Sequence, residues 1–583
     1  MAEPATNDGN VLTTLDDRVP TAFYWQLTLL ATLGGFLFGY DTSNIGSALN
    51  FVPYNLHGLA LGYLVSGASL GAAAGALLAG PVSDHFGRKP LLVVDAGIYA
   101  TGAILSAVTP DAPVLLIART LIGLAIGADS AIATAYIAEY APKERRGSLA
   151  MLQQWMITVG ILIAYVIALI VFAAWPASAA SSGWRLVLGL GAVPALVGLA
   201  LRTQMPESPR WLLRHGRYED VQKAMAALGT EASMDDVRRA AAVIERVEGE
   251  KTRRQAWTPG VRRALIVVCV FFIFQQITGI NVPLYYGPHL LGPIFSGAHA
   301  TLVQTTVAGV EVTAIMTSVN VASTYLGFRW IDKFGRKPLA IGGYTGMIVF
   351  ALVAALGLTV VPSGNWRLVV IMIGLDFFIA SFAIGVGGTG WTLQGEVFPT
   401  AVRGQAAAFA AMIDWLANFA LIEIFPVWQN AISLAGVLVC FGGLCAMAIV
   451  FVWKFLPETK GLPVEEIVRI FEQPVTHGGS RPASGLRGPQ IQPGASELVR
   501  RFIANRVRRI SLAWLYCRVH CGLIPWRQRA EGKPESPHRA QWSLFRLPRK
   551  GAAQADAIAQ MAPCRDRTGR SPRHPADGTG DAV

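Results

Sequence analysis

About twelve apolar runs, each about 20 residues long, follow one another along this chain and restrict its fold more than any other feature. A helix of about 20 apolar residues crosses the hydrocarbon of a bilayer, which is about 30 Å thick. The runs begin near residues Phe23, Gly58, Pro90, Pro113, Ser148, Trp184, Ala264, Thr301, Pro338, Trp366, Ala406 and Ala431. The sequence therefore predicts an all-α membrane protein with 12 transmembrane helices in two six-helix halves.

The composition agrees with lipid as the solvent of most of the chain. Hydrophobic residues make up 53% of the 583 residues and charged residues only 15%, which is too apolar for an ordinary soluble protein. The 60 glycines, as in the segment 67–80, suit helices that pack closely in a membrane. The net charge of +12 lies in short loops and the tail rather than on one face, so we expect a lipid bilayer and no nucleic acid as partner.

Basic residues predict the orientation, because Lys and Arg favour the cytoplasmic loops of membrane proteins. The loops 47–58, 174–183 and 287–300 contain no Lys or Arg. The loops on the opposite side contain Arg88, Lys89, Lys143, Arg145, Arg146, Lys333, Arg336, Lys337, Arg403, Lys454 and Lys460. We therefore expect both termini in the cytoplasm, with the chain in the plasma membrane, the inner membrane of a bacterium.

These patterns divide the chain into five segments. They are a cytoplasmic N-terminus (1–22), a six-helix bundle (23–203), a cytoplasmic central loop with short helices (204–262), a second six-helix bundle (263–456) and a cytoplasmic tail (457–583). The tail is expected to be mostly disordered from about residue 474, because it is rich in Arg, Pro, Gly and Ser. Its segment 497–510 has the pattern of a basic surface helix, and the alternative is that the extension has no function.

The two halves repeat each other in sequence. The segment DHFGRKP at 84–90 recurs as DKFGRKP at 332–338, and PES at 206–208 recurs as PET at 457–459. Glu139, Pro142, Arg146 and Gly147 recur as Glu396, Pro399, Arg403 and Gly404. Three matches in one order at an offset of about 250 residues indicate a duplication. Two parallel six-helix halves suit a transporter that moves by rocking.

These repeats, with PESPRW at 206–211, QQITGIN at 275–281, Tyr285, Tyr286 and PETKG at 457–461, closely resemble the sugar porter family of the major facilitator superfamily. The resemblance extends from about Phe23 to Gly461. It implies the major facilitator fold and transmembrane transport of a pentose or hexose by alternating access. No paired nucleophile and base, metal spacing or phosphate loop appears in the sequence, so we expect no enzymatic activity and no catalytic residue, metal or cofactor. We also expect a monomer whose ligands are a sugar and protons.

Asp41 lies within the first apolar run, where an unpaired carboxylate is costly, and Arg119 is its expected partner. The resemblance implies that Asp41 and Arg119 correspond to an Asp and an Arg that form a titrating pair in proton-coupled sugar porters. Burial disfavours the ionised carboxylate and the arginine favours it, so a conformation that separates them changes proton affinity. We therefore expect Asp41 and Arg119 to couple transport to protons, and the alternative is a permanent ion pair that joins two helices.

A sugar presents hydroxyls that donate and accept hydrogen bonds, and amide side chains do the same. By position in the family motifs, the resemblance implies nine substrate-binding residues. They are Phe38, Gln154, Gln275, Gln276, Asn281, Tyr285, Asn320, Trp391 and Asp414. Asp414 departs from the family, which has Asn or Gln there, and the segment GGTGW at 387–391 lacks the usual prolines.

The resemblance also implies a charged gate at the cytoplasmic ends of the helices. Glu139 with Arg146, and Glu396 with Arg403, are expected to pair with Arg336 and Arg88 and to hold the inner gate shut. The gating set is Asp84, Gly87, Arg88, Glu139, Arg146, Asp332, Gly335, Arg336, Glu396 and Arg403. Exposed pairs contribute little stability each, so we expect them to bias two conformations of similar energy.

Three alternatives to proton symport of a monosaccharide stay open. One is a facilitative uniporter, and the second is a polyol or organic-acid symporter, which Asp414 makes plausible. The third is a sugar-binding membrane sensor, which would lose its output on deletion of residues 474–583 while a transporter would keep its flux. The further intramembrane acids have no assigned role; they are Asp95, Asp129, Glu311, Asp376 and Glu423.

Overall fold

The computed structural model describes residues 22–54, 56–140, 146–227, 232–249, 257–297, 299–462 and 464–472. The predicted N-terminus up to residue 21 and the tail beyond residue 472 lie outside these ranges. All regular structure in the described ranges is helical, which confirms the predicted fold class.

The first half consists of helices that correspond to the first six apolar runs. They are α1 (Ala22–Ala31), α2 (Leu33–Ala48), α3 (Leu59–Phe86), α4 (Arg88–Val108), α5 (Ala112–Tyr140), α6 (Arg146–Ala174), α7 (Trp184–Gly189) and α8 (Ala192–Arg202). The first run is divided between α1 and α2 at Thr32, whose hydroxyl donates to the backbone carbonyl of Leu29 over 3.0 Å. The sixth run is divided at Leu190 and Gly191.

Three short helices follow in the central loop: α9 (Pro209–Arg214), α10 (Tyr218–Ala227) and α11 (Met234–Gly249). The Ser208 side chain accepts the backbone N–H of Trp211 at the start of α9, and Pro209 occupies the first helical position. Asp and Glu lie in the first turns of α10 and α11, where acidic side chains favour helix formation.

The second half repeats this order and ends in a short helix. Its helices are α12 (Pro259–Ile277), α13 (Asn281–Tyr285), α14 (Gly287–Phe295), α15 (Leu302–Phe334), α16 (Arg336–Thr359), α17 (Asn365–Phe382), α18 (Gly388–Glu396), α19 (Thr400–Phe455) and α20 (Val464–Glu472). A π-helical turn, Ala383–Gly387, joins α17 to α18. Within α19 the backbone leaves the helical region at Ser433, with φ 63° and ψ 164°.

In the described part of the chain, ten helical stretches are long and apolar enough to span a membrane. One of them, Val402–Phe455, contains both of the last two apolar runs, and the break at Ser433 lies between them. The first apolar run lies in α1 and α2, which are each shorter than a span. The arrangement is consistent with the predicted twelve runs.

Each half packs its helices in a matching way. In the first half α2 packs on α6 and α4 on α5, and in the second half α12 packs on α19 and α16 on α17. The halves meet where α3 contacts α19 and where α6 contacts α15. Large apolar side chains cover the outside of the bundle, for example Leu78, Ile117, Val197, Ile266 and Val450. This surface suits contact with lipid chains.

The contact between α3 and α5 depends on glycines of both helices. A Cβ at Gly71 or Gly75 would lie 2.1 Å from a backbone oxygen of α5. A Cβ at Gly123 or Gly127 would lie 1.9 Å from a backbone oxygen of α3. Because backbone atoms cannot move aside as a side chain can, these four positions admit only glycine at this helix spacing.

We expect Gly123→Ala to destabilise the protein by about 1–3 kcal/mol, since the added methyl group would force α3 and α5 apart. Thermal unfolding of the purified protein in detergent measures the effect. Gly97→Ala is the matched control, because a Cβ at Gly97 would meet no atom within 4 Å. Equal unfolding temperatures for the two variants would contradict the close contact of α3 with α5.

Candidate functional site

A cavity lies between the two halves. Its lining includes every residue that the sequence predicted to bind substrate. These are Phe38, Gln154, Gln275, Gln276, Asn281, Tyr285, Asn320, Trp391 and Asp414. They belong to helices of both halves, so relative motion of the halves changes the shape of the cavity.

A break in the seventh apolar run brings four of these side chains together. The helix α12 ends at Ile277, Gly279 takes φ 90°, and α13 starts at Asn281. A Cβ at Gly279 would lie 2.2 Å from the ring of Phe441, so the turn needs glycine for its conformation and for its close packing. Discontinuous helices of this kind form the binding sites of many transporters.

Amide side chains form a connected network along one wall of the cavity. Gln276 Nε2 donates to Asp414 Oδ1 over 2.7 Å, and Asn281 Nδ2 donates to Gln276 Oε1 over 2.7 Å. Asn281 Nδ2 also approaches Asn418 Oδ1 at 3.2 Å, and Asn418 Nδ2 donates to the Tyr285 hydroxyl over 3.1 Å. The network holds donors and acceptors in place for the hydroxyls of a ligand.

Gln275 holds the π-helical turn between α17 and α18. Its Nε2 donates to the backbone oxygens of Val386 over 3.2 Å and Gly387 over 2.8 Å. Its Oε1 is buried and has no hydrogen-bond donor among the described residues. The glycine-rich segment that lacks the family prolines therefore still departs from α-helical geometry here, through a π-helical turn.

Aromatic rings form another wall. Phe38 and Trp415 meet edge to face at 4.8 Å between ring centroids, and Trp391 packs on Phe272 at 5.4 Å. The indole N–H of Trp415 is buried and has no acceptor in the part of the chain that the structure describes. A flat apolar wall with one free donor suits a sugar ring.

The sequence interpretation missed five lining residues with polar or aromatic side chains. They are Thr42, Thr158, Phe382, Trp415 and Asn418. Asn418 and Trp415 were recoverable, since Asn418 lies one helical turn after Asp414 and Trp415 follows it directly. Thr42 was recoverable as well, since it directly follows Asp41, the candidate proton carrier.

Asp41 and Arg119 form the expected ion pair between α2 and α5. Their side chains are only 2% exposed, and Arg119 Nε also donates to the backbone oxygen of Leu64 over 3.3 Å. Thr42 lines the cavity, so Asp41 is the sequence neighbour of a cavity residue. Burial and the arginine act in opposite directions on the proton affinity of Asp41, so a conformation that separates the pair would change it.

A second buried ion cluster involves two of the unassigned acids. Arg202 at the end of α8 contacts Asp95 on α4 over 2.8 Å and Asp129 on α5 over 2.5 Å. The exposed fraction of these three side chains is between 1% and 5%. Arg202 was not singled out from the sequence, because nothing near it in the chain indicates its partners.

Two turns share the sequence Gly-Arg-Lys, at 87–89 and 335–337, and are called the first and second GRK turns. The first GRK turn joins α3 to α4 and is surrounded by charged contacts. Arg88 pairs with Asp84 over 3.0 Å and with Glu139 over 3.1 Å. The second GRK turn matches it, because Arg336 pairs with Asp332 over 3.1 Å and with Glu396 over 2.5 Å. Each arginine therefore pairs with the glutamate of its own half, because each turn packs beside the helix end that carries this glutamate. The expected pairing of Glu139 and Glu396 with Arg336 and Arg88 across the halves is wrong for this structure.

Arg403 and Arg146 are two further members of the predicted gating set. Arg403 Nε donates to the backbone oxygen of Phe398 over 3.0 Å, at the start of α19. The side chain of Arg146 lies outside the described part of the structure. The role of this set in gating stays a prediction.

Glu207 and Glu458 complete the two turns, and the sequence interpretation gave them no role. Glu207 accepts the backbone N–H groups of Arg88 over 3.0 Å and Lys89 over 3.1 Å. Glu458 accepts those of Arg336 and Lys337 over the same distances. Each carboxylate thus caps the helix that follows its turn, where anions are stabilised. Burial raises the pKa of Glu207, while its backbone donors favour the ionised form.

The glycines of the two turns allow the carboxylates of Glu207 and Glu458 to come close to the backbone. Gly87 has φ 105° and Gly335 has φ 91°, a conformation that other residues rarely adopt. A Cβ would lie 2.3 Å from Glu207 Oε2 at the first position and 2.5 Å from Glu458 Oε2 at the second. Glycine is therefore required at both turns for backbone geometry and for carboxylate access.

The halves are joined at the end of the bundle that lies opposite these turns. Asn50 Nδ2 donates to Thr306 Oγ1 over 3.1 Å, and Asn50 Oδ1 contacts His289 Nδ1 at 2.6 Å. The Tyr165 hydroxyl donates to the backbone oxygen of Leu284 over 2.6 Å. These contacts hold the two halves together on that side.

Comparison with known proteins agrees with this architecture. Residues 27–471 match the family model described as "Sugar (and other) transporter". The chain is 34% identical to the glucose transporter GlcP of Staphylococcus epidermidis over 76% of this chain and 96% of the relative. It is 33% identical to the D-xylose-proton symporter of Escherichia coli over 79% of this chain and 98% of the relative.

A solved structure shares the fold over the same region. It is the partially occluded inward open conformation of the xylose transporter XylE from E. coli, with a TM-score of 0.64 and 30% sequence identity. The alignment covers 76% of this chain and all of that chain. The chain therefore belongs to the sugar porter family of the major facilitator superfamily, as its motifs indicated.

Proposed function

We propose that this protein transports a monosaccharide across the plasma membrane by proton symport, with both termini in the cytoplasm. The observation that carries the proposal is a cavity between the halves that is lined by all nine predicted ligands and by Thr42, the residue next to Asp41 in the chain. Relatives that are named as glucose, arabinose and xylose transporters, two of them as proton symporters, support a sugar as substrate.

In the proposed mechanism, a sugar binds the amide network and stacks against Trp391 and Trp415. A proton on Asp41 removes the charge that holds Arg119, which leaves the arginine with the backbone oxygen of Leu64. The α2–α5 contact then differs between the protonated and ionised states. A state with both sugar and proton bound can thereby favour the conformation that opens to the other side.

The cavity lining favours an uncharged hydroxylated substrate over an organic acid. Asp414 is the one charged side chain among its described lining residues, and a carboxylate repels an anionic ligand. A polyol presents the same hydroxyls as a sugar and stays the second candidate. A facilitative uniporter would use the same cavity but would not respond to a proton gradient.

The test uses the full chain in proteoliposomes with labelled pentoses, hexoses and polyols. Counterflow first identifies a substrate without any gradient, and an inward proton gradient then drives uptake of that substrate. Accumulation above equilibrium, abolished by a protonophore, supports symport. Counterflow without gradient-driven accumulation would indicate a uniporter, and the absence of sugar counterflow would overturn the proposal.

We expect Asn281→Leu to raise the half-saturation concentration for counterflow about tenfold. The change removes a ligand amide and leaves Gln276 Oε1 and Asn418 Oδ1 without their donor, at a cost of about 1–3 kcal/mol. The concentration dependence of counterflow measures the effect. Gln222→Leu, an amide of the central loop that donates to the backbone oxygen of Ala232, serves as control. Unchanged saturation in Asn281→Leu would remove this residue from the binding site.

A further inference from the structure

In the described part of the chain, the substrate cavity has an acidic side chain but no basic one. Among its described lining residues there is one carboxylate, Asp414, and there is no Lys, Arg or His. Asp414 is 3% exposed, and its hydrogen-bond donor is an uncharged amide, Gln276 Nε2. The cavity thus contains a carboxyl group that has no cationic partner among the described lining residues.

Arg119 of the buried Asp41–Arg119 pair does not supply that cation. Arg119 is committed to Asp41 and to the backbone oxygen of Leu64. An ionised carboxylate away from water is costly unless a positive group or several donors compensate it, and one amide donor compensates it in part. A ligand that brings a positive charge to Asp414 therefore gains more than its neutral counterpart of the same shape.

The groups around Asp414 restrict what kind of cation fits. Gln276, Asn281 and Asn418 offer hydrogen bonds to hydroxyls, and Trp415 offers an aromatic face beside them. An ammonium group next to a carboxylate, on a ring that also bears several hydroxyls, would satisfy all of these groups at once. The ligand class that combines these features is the protonated amino sugar.

We infer that the cavity binds and transports protonated amino sugars, with the ammonium group on Asp414. This inference rests on the proposed function of the same cavity as a sugar site. An amide at this position would donate and accept equally well and would not prefer the cation, whereas the carboxylate accepts only. Asp414 is then the residue that determines specificity for the amino group.

Binding can be measured directly, because Trp391 and Trp415 line the cavity and their fluorescence should change when it fills. The ligands are the 2-amino-2-deoxy forms of glucose, galactose and mannose, each compared with its parent sugar at about pH 7, where most of the amine is protonated. The amino group replaces a hydroxyl of similar size, so the ratio of the two affinities reports the charge. We expect the full-length protein to bind at least one amino sugar about tenfold or more tightly than its parent.

Asp414→Asn should bring this ratio of affinities to about one, and Asp414→Glu, which keeps the charge, should preserve part of it. Asp414→Gln gives a second neutral variant if the asparagine variant does not fold. Glu423→Gln is the matched control, because Glu423 accepts the Ser66 hydroxyl over 2.6 Å outside the cavity lining. Its ratio should equal that of the unmodified protein.

The outcomes separate this inference from the proposed function. Equal or weaker binding of all three amino sugars, or a ratio unchanged in both neutral variants, would overturn the inference. Counterflow of neutral sugars in the same samples would leave the proposed function standing. If neither neutral nor amino sugars exchange, both the proposed function and the inference fail.

Discussion

Asp41→Asn is expected to abolish proton-driven accumulation of substrate while preserving counterflow. A gradient of two pH units gives one coupled proton about 2.7 kcal/mol, which corresponds to an accumulation ratio of about 100. Asparagine cannot release a proton, so the ratio should fall to about one. Counterflow exchanges substrate without net proton movement and should survive, because the amide can still accept a hydrogen bond from Arg119.

The measurement compares gradient-driven uptake and counterflow in the same proteoliposomes. Asp220→Asn is the control, because Asp220 lies on α10 of the central loop and pairs with Arg217 and Lys223 away from the bundle. It should retain full accumulation. Accumulation that persists in Asp41→Asn would show that protons move through another group, and loss of counterflow as well would indicate that the Asp41–Arg119 pair holds the fold.

The sequence allowed much of the fold and cavity to be predicted, and the reasons are local. The apolar runs, the repeated GRK turns and the glycine-rich packing helices each depend on residues close together in the chain. The nine ligand positions came from motif resemblance, and the structure brings them to one cavity. What the motifs supplied was the position of each side chain along its helix.

Features that depend on distant segments could not be predicted in this way. Arg202 and Asp95 are separated by 107 residues and meet only because α8 packs beside α4. Glu207 and Glu458 lie in recognised motifs, yet their capping of distant helix starts depends on how each half folds back. The π-helical turn before α18 likewise depends on Gln275 from α12.

The two capped turns have a consequence for how the halves move. Arg88 and Arg336 each form ion pairs within one half. Glu207 and Glu458 likewise accept backbone N–H groups of their own half. Each half is therefore internally connected at this end of the bundle. Two rigid units joined at the opposite end by Asn50, His289 and Tyr165 suit rocking about the central cavity.

Arg202→Met should produce the largest loss of stability among the variants considered. The change leaves Asp95 and Asp129 facing each other without a cation in a site where the three side chains are at most 5% exposed. Removal of one partner from a buried ion pair costs about 3–5 kcal/mol, because the remaining charge is uncompensated. We expect little folded protein, seen as aggregation in size-exclusion chromatography and a lower unfolding temperature in detergent.

A triple variant distinguishes the effect of the lost charge from the effect of the lost packing. Arg202→Met combined with Asp95→Asn and Asp129→Asn removes the charges together, and replacement of a whole buried ionic cluster by neutral groups is often tolerated. We therefore expect the triple variant to recover most of the lost unfolding temperature. Arg217→Met is the control, because its partner Asp220 forms an exposed pair, which contributes little. If Arg202→Met unfolds like the control, the buried cluster contributes no more to stability than an exposed ion pair, and the assignment of Arg202 as its essential cation is wrong.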